Sequence, residues 1–181
     1  KIMFVPVLTF ISTKLEQYDQ SEAKAREKDG SLAMLSAISE QLMNSDFKNQ
    51  IEPLIQNYVI PELQSPHAFL KARACSVIEN YQGLVWNSTE AVNVCANLVY
   101  QCLMENNLPV QVQAARAFGS FVDSEQFSAV ILPIVPAVMN TLMDLSAKCE
   151  VDSLPSVLNV VVSKFAQELA PFAVAVTQRL V

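Results

Sequence analysis

Apolar positions recur at helical spacing along the chain, and they do so in paired blocks. Phe4, Val7, Leu8, Ile11 and Leu15 share one face of a helix predicted over Ile2–Tyr18. Leu32, Leu35, Ile38 and Leu42 form a stripe over Gly30–Met43, and Ile51, Leu54, Ile55, Tyr58, Val59 and Leu63 follow an i, i+3, i+4, i+7 pattern over Gln50–Leu63. The same reading pairs Pro66–Tyr81 with Thr89–Glu105, Pro109–Val122 with Glu125–Ala147, and Asp152–Leu169 with Pro171–Val181. Polar breaks at Asp19–Asp29 and Gln82–Ser88 separate blocks; Ser88 or Asn87 is expected to cap one second helix and Ser124 the next.

The first helices of the pairs open near Lys28, His67, Pro109 and Asp152. A recurrence of about 40 residues falls in the window of HEAT or armadillo units. The predicted fold is therefore all-α: a HEAT-repeat α-α superhelix, a single solenoid segment over 1–181. It holds the second helix of a repeat at 1–19, then four helix pairs at about 28–64, 66–106, 108–148 and 152–181. The ragged units at both ends make it read as an internal piece of a longer protein. Small residues concentrate in the first helices, at Ala72, Ala74 and Cys75 and again at Ala114, Ala115, Ala117 and Gly119, where they permit close helix approach. Pro53, Pro133 or Pro136, and Pro171 are expected near the starts of second helices, while Pro61 and one of Pro133 and Pro136 should kink or end one.

Composition narrows the function. The hydrophobic fraction is 51% and the charged fraction 17%, which suits repeats that bury faces against both neighbours. Net charge is -6, with Lys24, Arg26 and Lys28 the one dense basic group, so direct nucleic-acid binding is not expected. An acidic surface instead suits basic protein partners. Cys75, Cys95, Cys102 and Cys149 lack CxxC spacing and sit among aliphatic residues, which reads as buried reduced thiols rather than metal ligands or disulfides. The uncharged run Gln126–Met143 is near bilayer length but carries two prolines and polar residues, so a buried repeat helix is expected and no membrane insertion.

Catalytic chemistry finds little footing. The one histidine, His67, stands beside Pro66 at a predicted helix start, and no Ser/His/Asp set, carboxylate pair or phosphate-binding glycine loop is readable. No enzyme activity, cofactor or metal site is expected. Asn87-Ser88-Thr89 matches a glycosylation acceptor but reads as a helix cap. The functional candidate is a polar stripe on the second helices. Asn93, Asn97, Gln101 and Glu105 recur every four residues, which places them on one helix face. Glu52, Gln56 and Asn57 extend it one repeat earlier, and Asn140 with Asp144 one repeat later. A plain solvated face is the alternative, and a scaffold of another multiprotein complex would share the architecture.

Four segments carry a family resemblance: KDGSLAMLSAISEQL from Lys28, QNYVIPELQSPHAFLKARAC from Gln56 to Cys75, LPVQVQAARAF from Leu108 to Phe118, and ELAPFAVAVTQRL from Glu168 to Leu180. On these the chain resembles the importin-β (karyopherin-β) superfamily, in its importin-seven/importin-eight branch. The resemblance implies a receptor that carries cargo, often basic proteins, through nuclear pores and releases it to Ran-GTP. It also implies contact with nuclear pore proteins, shuttling between cytoplasm and nucleus, second helices that line the concave surface, and principal Ran contacts in repeats upstream of these. The end repeats are expected to expose apolar residues, Phe4, Val7 and Ile11 at one end and Phe172, Val174 and Val176 at the other, and to self-associate through them.

Overall fold

The computed structural model describes residues 4–18 and 21–170. The chain runs through α1 (Phe4–Glu16), α2 (Glu22–Ala37), α3 (Ser39–Met43), α4 (Lys48–Leu54), α5 (Ala68–Asn80), α6 (Thr89–Met104), α7 (Leu108–Val122), α8 (Glu125–Ile131), α9 (Val135–Lys148), α10 (Ser153–Lys164) and α11 (Ala166–Leu169). A π turn (Ile55–Val59) and a 3-10 turn (Ile60–Gln64) continue α4, and a second 3-10 turn (Leu132–Ile134) joins α8 to α9. No β-strand occurs among the described residues. The expected helix Pro171–Val181 lies outside them.

Two layers form. First helices stack in chain order, α2 on α5, α5 on α7 and α7 on α10; α1, the α4 unit, α6 and α8–α9 make the second layer. This is the HEAT-type α-solenoid that the periodicity predicts. Close stacking depends on small side chains: Ala74, Ala114, Ala115 and Ala117 are fully buried. At Gly119 the approach is closest, since a Cβ there would lie 3.1 Å from Val157 Cγ2 of α10. A larger residue would push the two helices apart.

Polar contacts repeat with the fold. Arg73 pairs with Asp29 at 2.7 Å and Arg116 with Glu79 at 2.9 Å, each reaching back from one first helix to the preceding one. Lys28 and Glu62 form a buried pair at 2.7 Å, and Lys71 pairs with Glu105 one repeat later; both pairs span 34 residues and join the first helix of a repeat to the end of its second. The third repeat lacks this staple, because fully buried Ala114 takes the place of Lys71 in the recurring Ala-Arg-Ala motif.

Boundaries depart from expectation where charge and proline decide them. Most of the supposed break Asp19–Asp29 is helical, because α2 opens at Glu22, with Ser21 accepting from the Lys24 N–H. Glu22–Arg26 and Lys24–Glu27 ion pairs follow the helix periodicity, so the charges support the turn they were expected to break. The expected helix Gly30–Met43 breaks at Ile38 into α2 and α3. The expected helix Gln50–Leu63 widens into a π turn before Pro61, which interrupts it as expected because its missing N–H and ring cannot continue α-helical bonding. Pro53 sits inside α4 rather than at its start. Ser124 occupies the cap position of α8 without a side-chain cap bond, whereas Asn107, unforeseen, caps α7 through Val110 N at 3.3 Å.

Candidate functional site

The middle second helix, α6, is the continuous one. Ser88 caps it, accepting from Ala91 N at 3.1 Å, and no proline interrupts it. Val92, Cys95, Ala96, Val99, Cys102 and Leu103 are buried on its inner side. The opposite side presents Asn93, Asn97 and Gln101, all exposed, together with Val94 at 41% and Met104 at 40% exposure. Helical spacing thus sorts the carboxamides to the surface, as their four-residue period demands.

The rest of the proposed stripe divides. Glu105 lies just beyond α6, half-buried and ion-paired with Lys71, in the structural role that buried Glu62 has one repeat earlier. Gln56 is half-buried and its amide donates to Glu52 Oε1 at 3.0 Å; Asn57 is exposed on the π turn. Asn140 and Asp144 are exposed on α9. Between them the Thr141 hydroxyl reaches Met104 Sδ at 3.5 Å, which sets this turn of α9 beside the C-terminal turn of α6.

Glu52 leaves the stripe altogether. It is 6% exposed and accepts from Asn87 N at 2.9 Å, Ser88 N at 2.9 Å and Asn87 Nδ2 at 2.6 Å. Burial pushes its carboxyl up, but the bonds from Asn87 and Ser88 outweigh this and hold it below the ordinary carboxylate value. Gln126 clasps the same loop from the other side, its Oε1 accepting from Trp86 N at 2.9 Å and its Nε2 donating to Trp86 O at 2.7 Å. Sequence reasoning missed this double clasp and the Arg73 and Arg116 ladder; the repeated Ala-Arg-Ala motif was the signal for the ladder.

His67 is half-buried ahead of α5, its ring 5.4 Å from that of Phe69. No group of three His, Cys, Asp or Glu side chains is arranged for a metal among the described residues. Cys75, Cys95 and Cys102 are buried free thiols, and Cys149 is half-buried. Burial pushes the Cys95 thiol well up. The run Glu125–Lys148 is long and apolar enough to cross a membrane by composition alone. Here it is the second helix of the third repeat, with Phe127, Ile131, Val138 and Leu142 in the core.

A family model described as IPO5-like, TPR repeats matches residues 29–178. A probable importin-7 homolog of Dictyostelium discoideum is 31% identical over 179 residues, 96% of this chain. The chain belongs to the importin-β superfamily. Importin-8 of Homo sapiens is 31% identical over 86% of the chain, and the importin beta-like SAD2 homolog of Arabidopsis thaliana is 24% identical over 98%. The chain spans 17%, 15% and 18% of the lengths of these three relatives. No solved structure matches it. The superfamily is one of nuclear transport receptors, not enzymes. Within this importin solenoid, α6 offers the longest unbroken exposed face among the described second helices.

Proposed function

We propose that this stretch of solenoid forms part of the cargo-binding surface of a nuclear import receptor whose cargo is released by Ran-GTP. The observation that carries the reading is the exposed face of α6, with Asn93, Asn97 and Gln101 set out at one helix period and Asn140 and Asp144 alongside. Solenoids recognise partners over extended surfaces built from successive repeats. Neutral amides with scattered carboxylates suit a reversible partner, because each contact is individually weak and a competing ligand can reverse the sum. The net charge of -6 favours basic cargo proteins through long-range attraction. The same reading gives the whole receptor contacts with Ran and with nuclear pore proteins, and a place that alternates between cytoplasm and nucleus.

The test uses the whole receptor that carries this stretch, immobilised against purified basic proteins such as histones, with and without Ran-GTP. Capture that Ran-GTP abolishes and Ran-GDP spares is the expected result. Capture indifferent to the nucleotide sinks the transport reading in favour of a scaffold.

A further inference from the structure

We infer that Cys75 and Cys102 are an oxidisable thiol pair, a modification site at which a peroxide links the two helices of the second repeat through a disulfide. Two contacts place the sulfurs together. Lys71 in the first turn of α5 pairs with Glu105 at the end of α6, so the two helices run antiparallel and are clipped at that level. One turn further into the repeat, Cys75 shares the face of Lys71 at i+4, and Cys102 shares the face of Glu105 at i−3. The two cysteines therefore face one another beneath the ion pair. The second contact fixes Cys102: its thiol donates to the Leu63 carbonyl at 3.3 Å, and Leu63 belongs to the 3-10 turn against which α5 also packs. Both side chains are fully buried free thiols.

The two sulfurs are chemically unequal. The hydrogen bond from Cys75 holds the Cys102 thiol below its ordinary value, against the burial that pushes it up, and the same bond pushes Cys75 well up. Cys95, two turns earlier on α6, is pushed well up by burial. Cys102 is thus the nucleophile and Cys75 its resolving partner. In the first step the Cys102 sulfur attacks a peroxide oxygen; the O–O bond breaks, an S–O bond forms, and water or an alcohol leaves, so that Cys102 becomes a sulfenic acid. In the second, the Cys75 sulfur attacks that of Cys102, the S–S bond forms, and the sulfenic hydroxyl leaves as water with the Cys75 proton. Two thiols lose two electrons and two protons, and the peroxide takes them up. Neither sulfur is open to solvent, so the peroxide enters when the last turn of α6 parts from α5; the Lys71–Glu105 pair that clips this turn sets how often it does. Oxidation also removes the thiol hydrogen that the Leu63 carbonyl accepts, and so exchanges a contact between repeats for a bond within one.

The probe is hydrogen peroxide added to the folded full chain, followed by denaturation, alkylation of the remaining thiols, proteolysis and mass spectrometry. A peptide joining Cys75 to Cys102 should be the main linked product, and dithiothreitol should restore both thiols. Cys75→Ser should abolish the link and leave Cys102 to be trapped by dimedone as the sulfenic acid, whereas Cys95→Ser should leave the link unchanged. Glu105→Ala opens the clip and removes a carboxylate that pushes the Cys102 thiol up, so the link should form about fivefold faster, the weight of one partly exposed ion pair, with helicity by circular dichroism unchanged. In urea that unfolds the chain, the preference of Cys102 for Cys75 should disappear, because the shorter loop to Cys95 then competes. Linkage of Cys102 to Cys95 or Cys149 in the folded chain, oxidation confined to half-buried Cys149, or the same partner preference in folded and unfolded chains overturns the inference. A Glu105→Ala variant no faster than the wild type overturns the role of the clip.

Discussion

Glu52 shows how one side chain fixes the relation of two repeats. Its carboxylate satisfies two backbone N–H groups and an amide of the loop that opens the next second helix, 35 and 36 residues away. Replacing it with Ala removes the acceptor of three part-buried donors, and we predict a loss of about 1 to 2 kcal/mol in urea unfolding of the chain. Its folded-state carboxyl lies below the unfolded value of about 4.3. The stabilisation is therefore complete above that unfolded value and is lost as pH falls through the lower folded one. Melting temperature should fall more steeply with falling pH across this acid range for the wild type than for Glu52→Ala. The small residues act by the opposite route, through volume. Ala74 and Ala115 have no exposed surface, and Leu at either should overpack the first-helix layer, destabilising by roughly 1 to 3 kcal/mol in the same assay. These two alanines were legible in the sequence, because a cluster of small residues on a periodic helix has one steric meaning. Glu52 was not: helical period placed it in line with Gln56 and Asn57, and nothing local announces that a carboxylate will be claimed by backbone groups a repeat away.

At the scale of the helix, the same limit separates what periodicity reveals from what it hides. Helix α6 was legible almost to the residue, since its apolar face, its Ser88 cap and its lack of proline all agree. The unit from Lys48 to Gln64 was legible only as a helix of some kind, because the π turn depends on how Pro61 is accommodated against its neighbours. The start of α2 was hidden by its charges, which look like a solvated break until Lys28 is seen buried against Glu62, its Nζ also 4.3 Å from the Tyr18 ring centroid. This pair is the one to dissect. With both side chains under a tenth exposed, Glu62→Leu or Lys28→Met alone leaves an uncompensated buried charge and should cost about 3 to 5 kcal/mol. The double variant, two apolar side chains of similar volume, should recover most of that loss. A double-mutant cycle in denaturant checks it, and single variants no worse than the double would show that the charges are solvated.

For the whole molecule, stability is a sum of repeat cores and the interfaces between them, so the faces at each end differ physically from those inside. The apolar residues expected to be bare on the first helix were Phe4, Val7 and Ile11. The side chain of Phe4, like the matching Phe172, Val174 and Val176, lies outside the described residues. Ile11 is fully buried and Val7 half-buried, because α2 covers that side of α1. The open side of α1 carries Val5 at 55% and Phe10 at 49% exposure instead. Five residues separate them, about 140° round the helix axis, so these two large apolar side chains flank the uncovered side of α1, and exposed apolar surface of this kind finds a partner. The 181-residue chain is therefore predicted to self-associate as its concentration rises, seen as a mass increase in light scattering on a sizing column. Val5→Glu with Phe10→Glu should return it to a monomer with little change in melting temperature, since neither side chain contributes to the core. A wild-type chain that stays monomeric at millimolar concentration, or a double variant that associates as strongly, would place the adhesive surface elsewhere or remove it.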